Sequence, residues 1–400
     1  MSVSALVLTS ILLAAADDTP ESDAPAWRRH TIDNSSRGAD GVRTADVNGD
    51  GRSDLVTGWE QGGLIRVYVN PGPEKSKQAW PAVTVGSVRS PEDAVFADLD
   101  GDGAVDVISS CEGRERAMFV HFAPREASNY LDASAWTTEA VPASRGAGLW
   151  MFCLPMQVDG RGGVDLVAGS KGENAAVGWF ESPADPRRLD EWTWHPIYEA
   201  GWMMSLVPAD MDGDGDQDVL ITDRKGKHRG CHWLENPGPG PRQTQPWTVH
   251  TIGGTGREMM FLTHAGLDGD ARKEVVAAVR PEEILVFRRE GDAWTTQAVP
   301  LPPQAGNAKG VAVTDVDLDG RNDLLFSCEH AEAKHGVMWL SPPEEDRGSA
   351  WDAHPISGRE AGTKFDLLEL LDLDADGDQD VITCEERENL GVIWYENPAR

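Results

Sequence analysis

The chain has 400 residues, enough for two or three ordinary domains or for one large domain built from repeats. Apolar residues make up 40%, which sustains a folded core and excludes wholesale disorder. The formal net charge of −31 argues against nucleic acid and anionic membrane as partners, and it implies that some carboxylates are neutralised by a group from outside the sequence.

In chain order, the first feature is an apolar stretch from Ala5 to Ala16 that ends in three alanines just before Asp17 and Asp18. It predicts an export signal over residues 1–16, too short to span a bilayer comfortably, and hence a soluble, secreted or periplasmic protein. No Cys follows the small residues, so no lipid anchor is expected. Residues 17–26, rich in Asp, Pro, Glu, Ser and Ala, read as a disordered lead-in.

From residue 27 to residue 400 three elements recur. One is Trp-x-x-His-x-Ile, at 27–32, 192–197, 247–252 and 351–356, with looser copies from Trp80, Trp136 and Trp294. The second is an acidic loop between two apolar runs, first seen as "ADVNGDGRSDLV" at 45–56. The third is a strand that closes on a turn, as in "WLENPG" at 233–238 and "WYENP" at 394–398. The acidic element occurs seven times, about 49 to 59 residues apart, with worn copies at 156–167 and 265–276.

Each unit holds four short apolar segments, rich in Val, Ile and Trp and punctuated by Gly, Pro, Asn and Asp, which read as strands. Four strands per unit, repeated seven times, predict an all-β, seven-bladed β-propeller of four-stranded antiparallel blades; a linear β-solenoid would have shorter rungs. The chain starts on the Trp-x-x-His-x-Ile motif and stops just after the closing strand of the seventh unit. The N-terminal strand 27–32 is therefore expected to complete the last blade and remove two open edges. Most of the 15 Trp fall on repeat positions and are expected to pack between sheets. His30, His195, His250 and His354 belong to the same repeat, so structural hydrogen bonds are expected of them rather than catalysis. Cys111, Cys328 and Cys384 occupy equivalent positions one repeat apart, too far for a bridge; with Cys153 and Cys231 the count is odd, and no obligatory disulfide is expected.

The acidic loop concentrates oxygen donors at positions 1, 3, 5 and 9. The full copies carry Asp46, Asn48, Asp50 and Asp54; Asp98, Asp100, Asp102 and Asp106; Asp210, Asp212, Asp214 and Asp218; Asp315, Asp317, Asp319 and Asp323; and Asp372, Asp374, Asp376 and Asp380. Carboxylates at every second residue repel one another unless a cation sits among them. Ca²⁺, with six to eight oxygen ligands in a flexible shell, suits them better than Mg²⁺, so about five Ca²⁺ sites are expected. The helix-flanked calcium hand is excluded because position 12 is Thr57, Ser109, Ile221, Phe326 or Thr383 rather than Glu. In the worn copies, Gln157, Asp159, Arg161 and Asp165 lack two carboxylates, and Arg161 is expected to place a cation where a metal would sit. Gly266, Asp268, Asp270 and Glu274 lack position 1.

This pattern resembles the FG-GAP/VCBS repeat family of exported bacterial proteins and integrin α-subunit heads, over roughly 27–400. The Phe-Gly…Gly-Ala-Pro signature is absent, which places the resemblance nearer the VCBS-type branch. The resemblance implies a propeller whose Asp-x-Asp-x-Asp-Gly-x-x-Asp loops, between two strands of a blade, bind Ca²⁺.

Strand order puts the acidic loops on one face and the loops after each second strand, with the links between blades, on the other. Candidates on that second face are Asp40, Asp93, Trp150, Trp202, Asp223, Arg224, Glu258, Lys309, Glu329, His330, Lys364 and Glu385. Mixed charge with Trp suits a glycan, stacked on Trp150 or Trp202, or a protein partner. The expected function is a monomeric exported binding module, not evidently an enzyme. The alternatives are a polysaccharide lyase or hydrolase, using Glu329 with His330 or Glu258 with Lys309, and a passive structural module.

Overall fold

A computed structural model describes residues 26–269, 272–343 and 350–400. The export signal and the lead-in up to residue 25 lie outside the described residues. Among those described, alternating apolar segments pair into seven separate four-stranded antiparallel sheets. Blade 1 runs outward from Ala39–Ala45 through Asp54–Trp59 and Leu64–Tyr68 to Ala82–Gly86. The innermost strands of blades 2 to 6 are Pro91–Ala97, Leu149–Met156, Met203–Ala209, Glu258–Ala265 and Asn307–Thr314. They contact one another in sequence around a central channel, and the contact of blade 7 with blade 1 closes the ring.

Blade 7 is built from both ends of the propeller. Its sheet order is Arg28–Asp33, Gly391–Glu396, Asp380–Glu385 and Glu369–Leu371. The N-terminal strand pairs antiparallel with Gly391–Glu396, with Arg28 opposite Glu396 and Thr31 opposite Ile393, so the expected closure is present. Ile32 is buried between blades and holds that strand in place.

The tryptophan repeat is structural, as expected. Trp59, Trp150, Trp179 and Trp394 are fully buried. The repeat histidines lie over the tryptophans of the neighbouring strand, with ring centroids 4.4 Å apart for His30–Trp394, 4.9 Å for His195–Trp179, 3.9 Å for His250–Trp233 and 4.0 Å for His354–Trp339. Nε2 of His30, His195 and His250 bonds a glutamate at the end of that strand: Glu396 at 2.7 Å, Glu181 at 2.8 Å and Glu235 at 2.6 Å. All five cysteines are free and buried.

Candidate functional site

The acidic loops lie where each innermost strand turns back into the second strand. Position 9 is the first residue of that second strand, and its carboxylate is buried in every blade (Asp54, Asp106, Asp165, Asp218, Glu274, Asp323 and Asp380). One oxygen always accepts the backbone N–H of position 2: Val47, Leu99, Val158, Met211, Leu267, Val316 and Leu373. In five blades the other oxygen accepts an N–H at the end of the third strand: Asn70, Ala123, Ser182, Asn236 or Asn397. Position 9 is thus a hairpin clamp with or without metal, which explains why it persists in the worn copies.

Positions 1 and 3 converge on it. One carboxylate oxygen from each of Asp98, Asp100 and Asp106 lies within 4.8 Å of the other two, and the same holds for Asp210, Asp212 and Asp218 and for Asp315, Asp317 and Asp323. Asp98 Oδ1 and Asp374 Oδ1 are buried with no hydrogen-bond partner, the condition of acceptors that want a cation. Position 5 pairs with an arginine in three loops, Asp50 with Arg52, Asp102 with Arg125 at 2.8 Å and Asp319 with Arg321 at 2.7 Å. Asp100 pairs with Arg187, and Lys77 stands 3.0 Å from Asp374. The loop Asp210, Asp212, Asp214 and Asp218 has no cationic side chain paired with it among the described residues. The donor set fits a hard divalent cation held by positions 1, 3 and 9 with loop carbonyls.

The third copy has solved the same problem with its own atoms. Gln157 Nε2 donates to the carbonyls of Arg161 and Gly163, positions 5 and 7, at 3.0 and 2.6 Å. The expectation for Arg161 is corrected here: its side chain is exposed and only reaches 3.9 Å from Asp159, and the amide of Gln157 takes the loop interior instead. In the fifth copy Asp268 faces Arg288 at 3.4 Å, and Asp270 lies outside the described residues.

Burial pushes the position 9 carboxyls up, to about 6 for Asp54, Asp165 and Asp218 and about 7 for Asp106, Asp323 and Asp380. A native value above the unfolded one means the metal-free fold holds these protons more tightly. Their contribution is therefore full below pH about 4 and is lost as pH rises through about 6 to 7. Calcium needs the ionised form. The rise in melting temperature on adding Ca²⁺ is expected to be larger at pH 7.5 than at pH 5.5, read by scanning fluorimetry; an equal rise at both would remove these carboxylates from the metal site.

At the opposite end of the channel lies a cavity of about 320 Å³. Its rim follows the repeat. Six residues beyond position 9, the blades carry Glu60, Glu112, Lys171, Arg224, Arg280, Glu329 and Glu386, and all but Arg280 line the cavity. Its floor comes from irregularities in the innermost strands. Pairing with the second strand skips a residue or two near the mouth in blades 1 to 6. The skipped residues include Glu92, Met151, Met204, Met260, Phe261 and Lys309, every one of them in the cavity wall. Bulges re-aim side chains, and here they aim them into the channel.

Several candidates are brought together: Asp40, Trp202, Arg224, Lys309, Glu329 and Lys364 all line the cavity. Others are not. Trp150 is buried against Phe180 and Trp194, its Nε1 donating to the Ser144 carbonyl at 2.9 Å, so it offers no sugar platform. Asp93 is 1% exposed and braces the channel wall through Arg43 at 3.1 Å. Asp223 accepts the N–H groups of Gly201 and Trp202, and Glu385 those of Thr363 and Lys364, so both tie down links between blades. Glu258 sits 3.5 Å from Arg224, outside the cavity lining, and His330 is half exposed, 4.0 Å from Glu329. Glu329 and His330 are thus beyond hydrogen-bond distance, and Glu258 and Lys309 pair with other residues, Arg224 and Asp366. Trp150→Ala is expected to cost about 3–5 kcal/mol of stability, as for other buried aromatics, by denaturant unfolding.

The wall itself is electrostatically loaded. Lys309 pairs with Asp366, and Lys364 with Glu386. Burial, and then the Asp366 charge, push the Asp40 carboxyl well up; burial opposes ionisation of Asp366 too, but Lys309 and the bond from Asp40 outweigh it and hold that carboxyl low. Burial raises Glu92 to about 8 despite Lys171 at 3.6 Å.

A family model described as FG-GAP-like repeat matches residues 46–109, 157–221 and 266–326. Each match runs from position 1 of one acidic loop to position 12 of the next. The chain belongs to the FG-GAP repeat family. Both worn loops of this FG-GAP propeller fall inside the matched stretches, so the repeat is defined by more than its metal ligands. Among solved structures, the crystal structure of BBS1N in complex with ARL6DN, soaked with lead, matches at TM-score 0.54 and 9% identity, covering 93% of this chain and 97% of that one. The same complex soaked with mercury gives 0.52 and 10%, covering 93% and 96%. These likenesses show a shared propeller fold. Comparison with curated protein sequences gave no match. No helix among the described residues is long and apolar enough to cross a membrane.

Proposed function

We propose that this FG-GAP propeller is an exported binding module, braced by about five Ca²⁺ at one end of its channel, that takes a glycan or protein partner at the other. The observation that carries the reading is the channel mouth, where six of the seven blades deliver an equivalent charged residue to a single cavity. Seven blades at one axis make that convergence a property of the fold, while the residue types are free to vary. Glycan and peptide arrays probed with the calcium-loaded protein test it. Retention of a defined ligand class by wild type, and its loss in Arg224→Gln, is the expected result; retention that no mouth substitution alters would refute it.

A second reading, polysaccharide cleavage by a lyase or hydrolase, draws on two acidic side chains in the cavity wall: Asp40, whose carboxyl burial pushes well up, and Glu92, which burial raises to about 8. It calls for turnover of a polyuronate, seen as growing ultraviolet absorbance, that Glu92→Gln abolishes. Absence of turnover leaves the binding module.

A further inference from the structure

The charges six residues past each hairpin clamp are segregated by sign around the ring. Blades 6, 7, 1 and 2 contribute Glu329, Glu386, Glu60 and Glu112 in ring order. Blades 3, 4 and 5 contribute Lys171, Arg224 and Arg280. Where the arcs meet, neighbours neutralise each other as ion pairs: Lys171 lies 2.5 Å from Glu112, and Arg280 lies 3.0 Å from Glu329. The middle of each arc remains, Glu60 on one side and Arg224 on the other.

Both are poorly satisfied. Glu60 has no cationic partner among the described residues and lies in two carboxylate groupings, with Asp40 and Glu386 and with Glu92 and Glu112, whose oxygens fall within 4.8 Å of one another. Arg224 is 9% exposed and lines the cavity, yet its only hydrogen bond is from Nε to Glu258 at 3.5 Å; its two terminal amino groups make none among the described residues. Beside it Trp202, also in the cavity wall, has a buried indole N–H without an acceptor. Lys171, Arg224 and Lys225 lie over the Trp202 ring, 4.7, 4.7 and 4.4 Å from its centroid, so the ring holds cations rather than a sugar face. A guanidinium whose terminal amino groups make no hydrogen bond among the described residues calls for an anion on one side. An unpaired carboxylate among four others calls for a cation on the other.

We propose that the channel mouth binds a small zwitterion, an amino acid or short peptide, with its carboxylate on Arg224 and its ammonium on Glu60. The inference rests on the reading of the mouth as the binding site and names the class of ligand. A ligand dipole antiparallel to that of the ring gains at both poles, whereas a singly charged molecule gains at one and is repelled at the other. Met151, Met204 and Phe261 in the floor suit the methylenes between the charges.

A molecular ruler tests it. Calcium-loaded protein is titrated by calorimetry at pH 7.5 with straight-chain ω-aminocarboxylates of two to seven methylenes, and with hexylamine and hexanoate as singly charged controls. Affinity is expected to peak at one length and to exceed both controls by at least ~10-fold, the scale of a charge-assisted hydrogen bond. Glu60→Gln should abolish the advantage over hexanoate, and Arg224→Gln the advantage over hexylamine, with melting temperatures unchanged. A flat length series, a control that binds as tightly as the best zwitterion, or no binding by any member would overturn the proposal. Array retention of an uncharged glycan that Arg224→Gln abolishes, beside a silent ruler, would overturn it too while leaving the mouth as the binding site; silence in both would remove the mouth as well.

Discussion

Removing calcium with a chelator is expected to lower the melting temperature by on the order of 10 °C, with Ca²⁺ restoring it more fully than Mg²⁺. The size follows from linkage. Extracellular calcium modules bind with dissociation constants of roughly 0.1–1 mM, and at about 1 mM Ca²⁺ a site at the tight end adds about 1.4 kcal/mol. Five such loops together add about 7 kcal/mol, comparable with the entire net stability of an ordinary domain. The structure also ranks the loops. Asp210, Asp212, Asp214 and Asp218 have no paired cation among the described residues, whereas Asp100 is met by Arg187 and Asp374 by Lys77. The double substitution Asp210→Asn with Asp212→Asn should therefore remove more of the calcium effect than the same change at Asp98 and Asp100. Scanning calorimetry with and without chelator reads both. Curves that coincide would mean that the acidic loops are held by their backbone N–H bonds alone.

Deleting residues 1–33 should be still more damaging. The strand Arg28–Asp33 is the fourth strand of blade 7, and without it Gly391–Glu396 becomes a bare edge with Val392, Ile393, Trp394 and Tyr395 beside it. Burial of Ile32 alone is worth about 2–5 kcal/mol by analogy with other Ile-to-Ala changes, and His30 loses both its stacking on Trp394 and its bond to Glu396. The truncated chain is expected to melt at a much lower temperature and to associate edge to edge, seen as concentration-dependent light scattering. A synthetic peptide of residues 26–36 should reverse that association. Unchanged melting of the truncated chain would mean that the ring closes without its N-terminal strand.

The fold was legible because the repeat writes itself three times per blade. The Trp-x-x-His-x-Ile strand, the acidic hairpin and the closing strand recur in fixed order, and the offset between first and last copies dictates blade 7. The face that carries the acidic loops was legible for the same reason. The mouth was only half legible. Side chains at the position six residues past each hairpin clamp share a register, so aligning the seven copies on Asp54 and its counterparts brings Glu60, Lys171, Arg224 and Glu386 to one rim. The floor could not be read this way. It depends on bulges that shift Met151, Met204 and Lys309 by a residue, and a bulge leaves no period in the sequence. Trp150, Asp93 and Asp223 misled for a related reason. Polar and aromatic residues expected near loops suggest ligands, but these three sit in strands and satisfy backbone N–H groups, an arginine or a packing gap inside the scaffold.

The most direct measurement is calcium stoichiometry by equilibrium dialysis of chelator-stripped protein at millimolar free Ca²⁺. Clustered carboxylates at the hairpin tips predict about five ions per chain, falling by one with Asp210→Asn and Asp212→Asn together, and no gain from the loop where Gln157 supplies its own amide. A chain that binds no calcium under those conditions would contradict it.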